Sequence, residues 1–200
     1  MPETIFFSAF VEDALHENIL RKTLQDFPSL EIDTISVTNG YAALQKGFPG
    51  YNAASEYAPY LVMTDLDNTT CPAKMLAKWL PSTPKHPNLL FSIAVREADA
   101  WVLADRAPFA AFLGVAQSKI PLRPEEISNP KELLITIARN SSKRDIREGL
   151  VPNGSARTGK LYNTLLGKFI DTAWDPKRAQ AHAPSLARFL QRLSERSQSA

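Results

Sequence analysis

The chain has 200 residues, 44% hydrophobic and 22% charged, which excludes wholesale disorder and allows a sizeable core. No uncharged apolar run is long enough for a membrane span. The opening MPETIFFSAFVEDALHE reads against a secretory leader, and the single cysteine, Cys71, excludes an intrachain disulfide or a cysteine-rich zinc site, so a reducing, cytoplasmic setting is expected. The net charge of +2 hides an asymmetry: residues 1–105 carry 13 acidic and 7 basic side chains (net −6), residues 106–200 carry 8 and 16 (net +8). That pattern suits a polyanionic partner or solvated basic helices.

In chain order, Thr4 to Val11 (TIFFSAFV) has the length and apolar character of a buried strand. Ala14 to Phe27 reads as a helix, with Leu15, Ile19, Leu20, Leu24 and Phe27 on one face and Pro28 ending it. Leu30 to Thr38 alternates with period two and reads as a strand, followed by an Asn39-Gly40 turn. Residues 41–58 read as a short helix and then a Gly/Pro loop. Pro59 to Thr64 is the third strand, ending at Asp65-Leu66-Asp67. Pro72 to Leu80 reads as a helix with Pro72 in its first turn. The proline-rich stretch 81–87 is a loop, Asn88 to Val95 the fourth strand and Glu97 to Asp105 a helix. Beyond it the pattern predicts helices over 130–140, 158–173 and 184–196, with residues 141–157 a polar, basic connector. Leu186, Phe189, Leu190 and Leu193 make the last helix amphipathic.

Strands alternating with helices and then helices alone predict an α/β fold with a mostly parallel four-stranded sheet flanked by helices. The chain reads as a single domain: an α/β core over 1–105 and a helical, basic extension over 106–200. In such sheets ligands gather beyond the carboxyl ends of the strands. Carboxylates stand at three of those ends: Glu12 after the first strand, Asp65 and Asp67 after the third, Glu97 and Asp99 after the fourth. Residues i and i+2 leaving a strand point the same way, so Asp65 and Asp67 are expected to face one point. Converging carboxylates repel each other; they raise one another's pKa or gather a hard cation such as Mg²⁺. The competing expectation is that each carboxylate caps the helix that follows it.

LVMTDLDNT (Leu61 to Thr69) resembles the first motif of haloacid-dehalogenase-like phosphatases, with Asp65 as nucleophile and Asp67 and Thr69 in the matching places. That motif normally lies on the first strand, and the later acidic pair would fall at Asp171 and Asp175 in a helical stretch. The chain more closely resembles the Toprim domains of primases, type II topoisomerases and OLD-family nucleases. The matching residues are Glu12 in FVEDALHENIL and Asp65 and Asp67 in LVMTDLDN. It is similar in particular to an uncharacterised Toprim-like family that is often encoded beside an ATPase, in settings suggestive of phage defence. Val11-Glu12, Asp65-x-Asp67, IAVREADAW (Ile93 to Trp101) and SLARFL (Ser185 to Leu190) carry that likeness. Toprim proteins usually have Gly after the Glu, where this chain has Asp13.

The resemblance implies a Toprim-like fold and nuclease chemistry dependent on Mg²⁺ or Mn²⁺. Glu12, Asp65 and Asp67 would be catalytic and metal-binding, and Glu97 and Asp99 candidates for a second metal. It also implies an AAA- or ABC-type ATPase partner and no membrane. The alternatives are a weakly active or inactive Toprim scaffold that regulates an ATPase, and a phosphatase using Asp65. For nucleic acid, the basic half offers Lys143, Arg144, Arg147, Arg157 and Lys160. NGSARTGK (153–160) superficially resembles a phosphate loop. However, Leu161 takes its Ser/Thr place and no strand precedes it, so ATP binding is not expected there. His16, His86 and His182 lack metal-ligand spacing. His16 reads as a surface residue, though near enough to Glu12 to approach the site from the first helical turn. Trp101 reads as core.

Overall fold

The computed structural model describes residues 4–199. The chain divides into two compact units, one running to Val95 and resuming at Arg188, the other Arg96–Ala187. The division therefore falls after Val95 rather than after Asp105. The helix that follows the fourth strand packs with the later helices.

The first unit is built on four parallel strands, β1 (Ile5–Val11), β2 (Leu30–Val37), β3 (Tyr60–Asp65) and β4 (Leu89–Ala94), in the order β2-β1-β3-β4. This is the all-parallel α/β sheet the alternating pattern predicts. Phe7, Ala9 and Val11 are buried on one face of β1, while β3 is buried from Leu61 to Asp65 on both faces. Parallel strands covered on both sides need such unbroken apolar sequence. β2 ends the sheet, and its Glu31 and Asp33 are exposed. Because β2 and β3 lie on opposite sides of β1, the strand order reverses between β1 and β3. That is where ligands bind in open α/β sheets.

Helices α1 (Ala14–Leu24), α2 (Tyr41–Ala54) and α3 (Pro72–Trp79) connect the strands. Helix α1 stops at Leu24, short of the expected Phe27, whose amide instead turns tightly onto the Leu24 carbonyl. Helix α2 runs straight through the expected Gly/Pro loop with Pro49 inside it. Burial of Leu44, Phe48 and Asn52 at four-residue spacing outweighs the missing Pro49 N–H. The Phe48 ring packs 4.4 Å from Phe91 and 5.0 Å from Trp79, and Trp79 Nε1 donates to the Tyr41 hydroxyl at 2.9 Å. This aromatic cluster, with Val62, Met75 and Leu89, is the core on that face.

The second unit holds α4 (Ala98–Ala104), α5 (Arg106–Leu113), α6 (Pro130–Arg139), α7 (Arg144–Leu150), α8 (Tyr162–Thr172), α9 (Pro176–Ala179) and the first residues of α10 (Pro184–Ser197). Every residue of α4 is buried, Trp101 completely, as its reading as core requires. Trp101 Nε1 donates to Ser185 Oγ at 2.7 Å, and Trp174 Nε1 donates to the Trp101 carbonyl at 3.0 Å. Helix α5, which the periodicity does not predict, ends at Gly114 in the left-handed conformation (φ 67°). Helix α7 replaces part of the expected connector 141–157. Its buried Ile146, Gly149 and Leu150 are too few apolar residues for a visible period.

The second glycine of NGSARTGK serves packing. A side chain on Gly159 would place its Cβ 2.1 Å from the Gly149 carbonyl oxygen, and the Gly159 amide donates to the Leu150 carbonyl at 3.0 Å. No helix among the described residues is long and apolar enough to cross a membrane.

Candidate metal centre at the carboxyl end of the sheet

Glu12 is the first residue beyond β1. Its amide donates to the Met63 carbonyl of β3 (3.2 Å), and its carbonyl accepts from the Gly40 amide (3.0 Å). The main chain is thus tied to neighbours on both sides, which fixes the origin of the side chain at the point of strand reversal. The carboxylate turns toward β3. Its Oε2 accepts from Thr64 Oγ1 at 2.6 Å and from the Asp65 amide at 3.2 Å.

Asp13 caps α1. Its backbone is extended (φ −148°), so the position needs no glycine, and its Oδ1 accepts from the amides of Leu15 (2.9 Å) and His16 (3.1 Å). The same oxygen lies 2.8 Å from His16 Nδ1, and His16 Nε2 lies 3.0 Å from Asp65 Oδ1. His16 is therefore not a surface residue: it is fully buried and links a cap to the end of β3. A ring held between two carboxylate oxygens donates from both nitrogens, so it is an imidazolium. Burial alone would lower its pKa. The Asp65 charge and the hydrogen bonds to Asp13 and Asp65 outweigh burial and hold it well above the usual histidine value.

Glu12 moves the same way for another reason. Burial, then the nearby Asp65 charge, raises its pKa, while Thr64, His16 and the Asp65 amide act against the rise. Two carboxylates share a partly dry space, and one imidazolium offsets their charge.

One ligand atom each from Glu12, His16 and Asp65 lie within 4.8 Å of one another. A cation bound at about 2.0–2.4 Å keeps its ligand atoms no more than about 4–5 Å apart, so the group could hold one divalent ion. Asp67 is outside the group. The i, i+2 argument fails because β3 ends at Asp65. After the Leu66 amide bonds the Ala94 carbonyl, the chain turns, with Asp67 left-handed (φ 49°) and exposed.

Glu97 and Asp99 belong to the second unit and join its helices. Glu97 Oε2 accepts from the Lys131 amide in the first turn of α6 at 2.8 Å. Asp99 accepts from the Tyr162 hydroxyl, and its Oδ2 lies 3.5 Å from Lys131 Nζ. The expected capping of the following helix does not hold for Glu97, whose side chain makes no cap to α4 and reaches α6 instead.

The basic candidates divide similarly. Lys143 Nζ donates to the carbonyls of Ala111 (2.8 Å) and Phe112 (3.0 Å) at the end of α5, and Arg147 donates to the Ser141 carbonyl. Arg144 pairs with Glu148 at 2.7 Å. Arg157 and Lys160 are exposed. Asp175, from the phosphatase comparison, caps α9 through the Lys177 amide and pairs with Arg178.

Sequence reasoning missed His16 as a site residue. Its signal was its place in the series 16, 20, 23, 24 on the buried face of α1, directly behind Glu12 and three residues from a capping aspartate. Comparison with protein-family models, with curated proteins and with solved structures gives no match.

Proposed function

We propose that the chain is a Toprim-type nuclease. It would hydrolyse phosphodiesters with Mg²⁺ or Mn²⁺ and act as the effector of an AAA- or ABC-type ATPase in phage defence or other nucleic-acid processing. The observation that carries this reading is the meeting of Glu12 and Asp65, from the ends of two adjacent parallel strands, where the strand order reverses. The likeness of IAVREADAW and SLARFL to the ATPase-associated family supports the partner.

The donor set fits a divalent cation: Glu12 and Asp65 would hold it through oxygen, with His16 Nε2 as third donor once its proton is displaced by the ion. Oxygen ligands suit Mg²⁺ and Mn²⁺, and the imidazole moves the preference toward Mn²⁺. When bound, such an ion supplies Lewis acidity to a phosphoryl oxygen and acidity to a coordinated water. The chain's own residues set the geometry. Thr64 and the Asp65 amide fix one oxygen of Glu12, and Asp13 fixes the His16 ring. The raised pKa of Glu12 brings this carboxyl nearer to neutrality, as a proton-transferring group requires. Asp67, exposed in the turn, joins the set when cation and substrate arrive. Arg157 and Lys160 are the exposed cations for the nucleic-acid backbone.

A second reading, the regulatory scaffold, draws on a specific observation. Glu12 Oε2 and Asp65 Oδ1 each already have an internal donor. Cutting of single- and double-stranded DNA and RNA with Mn²⁺, Mg²⁺ or EDTA separates the readings. Metal-dependent cutting abolished by Asp65→Asn and Glu12→Gln supports the nuclease. Cutting retained in both variants removes it. Absence of cutting, together with regulation of a co-purifying ATPase that ignores Asp65→Asn, favours the scaffold. A trapped aspartyl-phosphate at Asp65 establishes the phosphatase.

A further inference from the structure

Beside the terminal strand β4, within the first unit, lies a cavity of about 330 Å³. Its walls include Lys85, Pro87, Phe91, Arg192, Glu195 and Arg196. The three cations reach it from two places, Lys85 from the proline-rich loop before β4 and the arginines from successive turns of α10.

Each cation is held in place by neutral partners. Lys85 Nζ donates to the carbonyls of His86 (3.0 Å) and Leu89 (2.6 Å). Arg192 donates to the Phe91 carbonyl (2.8 Å), and Arg196 to the Pro87 carbonyl (2.7 Å) and Asn88 Oδ1 (3.3 Å). Among the described residues no carboxylate forms an ion pair with any of the three. The nearest acidic wall residue, Glu195, accepts instead from Gln191 at 2.9 Å.

Tying off the carbonyls of a terminal strand explains why donors stand here. It does not by itself require three cations, since a neutral Gln or Ser also donates to a carbonyl, though less strongly. Three like charges around one recess repel, and the burial of Lys85 with the charges of Arg192 and Arg196 lowers its pKa. Three cations held close around one recess, with Glu195 in its wall but paired to none of them, gain by taking in an anion. Arginine donates from up to five N–H groups, so both guanidiniums have donors beyond those bonded to the main chain. The planar fork fits oxyanions with two parallel bonds.

The geometry points to this cavity as a binding site for a phosphate-group oxyanion, held by Lys85, Arg192 and Arg196. The volume is at the small end for ligand sites, which suits a single phosphate or a nucleoside monophosphate rather than a large cofactor. The apolar wall of Pro87 and Phe91 gives an attached organic group something to lie against. The site is independent of Glu12 and Asp65.

The test is titration of inorganic phosphate into the full chain in EDTA at constant ionic strength, read by calorimetry and by ³¹P line broadening, with chloride as control. EDTA keeps divalent ions out, so the outcome does not depend on the nuclease reading. Saturable binding of phosphate and not chloride is expected, weakened about tenfold or more in Arg192→Gln/Arg196→Gln, an effect worth about 1.4 kcal/mol. Lys85→Gln, which leaves α10 unaltered, should weaken it as well. Absence of phosphate-specific binding overturns the site, as does equal binding by wild type and both folded variants. Competition identifies the source. Displacement of phosphate by a nucleoside monophosphate marks a small-molecule site, whereas displacement by an oligonucleotide alone marks a contact to a polymer backbone. Either result supports the phosphate site.

Discussion

The two units treat buried acid differently. In the helical unit the buried and half-buried carboxylates take donors from a neighbouring element. Glu97 takes the Lys131 amide, Asp99 the Tyr162 hydroxyl, Asp105 the Arg178 guanidinium at 2.8 Å, and Glu125 the amide and hydroxyl of Ser185. In the sheet unit Glu12 takes Thr64 Oγ1 and the Asp65 amide, and Asp65 takes His16 Nε2, yet the two carboxylates still lie close to each other. A buried charge with a dedicated partner joins two elements. Two buried charges that face each other cost stability and are retained only where something else gains from them.

That contrast can be broken most directly by isosteric variants. Asp65→Asn and Glu12→Gln should reduce metal-dependent cutting about 100-fold or more. Glu97→Gln should leave it within a few-fold while lowering thermal stability. Equal loss of cutting in all three would erase the distinction.

Ser185→Ala tests the other side. It removes the Trp101 Nε1 acceptor and a partner of Glu125, at a cost of about 1–3 kcal/mol. Thermal denaturation should show a midpoint about 2–10 °C lower, with Mn²⁺ binding unaltered.

A third test is pH. His16 has a folded pKa raised above its unfolded value of about 6.5, so its stabilising contribution is complete below that pH and disappears as pH rises through the folded value. Chemical denaturation from pH 6 to 9 should show wild type losing stability relative to His16→Gln. A constant difference would mean that folding does not raise the ring's affinity for a proton. The smallest effect expected is the choice of ion: Mn²⁺ should half-saturate at a concentration about tenfold below Mg²⁺, and His16→Gln should narrow that gap.

The sheet was legible in the sequence because β-branched and apolar runs between turn residues have few other uses. Carboxylates at the ends of those runs then follow from topology alone, which is why Glu12 and Asp65 could be named together. What escaped depends on contacts distant in sequence. His16 meets Asp65 across 49 positions, and no local pattern records that. Asp67 was misplaced by extending strand geometry two residues too far. Glu97 and Asp99 look identical to site carboxylates until Lys131 and Tyr162 fold against them. Trp101 of IAVREADAW and Ser185 of SLARFL, 84 positions apart, meet in one hydrogen bond.

The sheet has two rims, and the chain guards them unlike each other. Along β4 the outward carbonyls of Leu89 and Phe91 are occupied by Lys85 and Arg192. β2, with no further strand beside it among the described residues, carries Glu31 and Asp33 exposed to water. Two negative charges on an unpaired strand repel an incoming strand before hydrogen bonds can form. A chain with Glu31→Val and Asp33→Val would keep its core yet present LVIVTISV as an open template. Its failure would then be self-association, scaling with concentration, rather than unfolding.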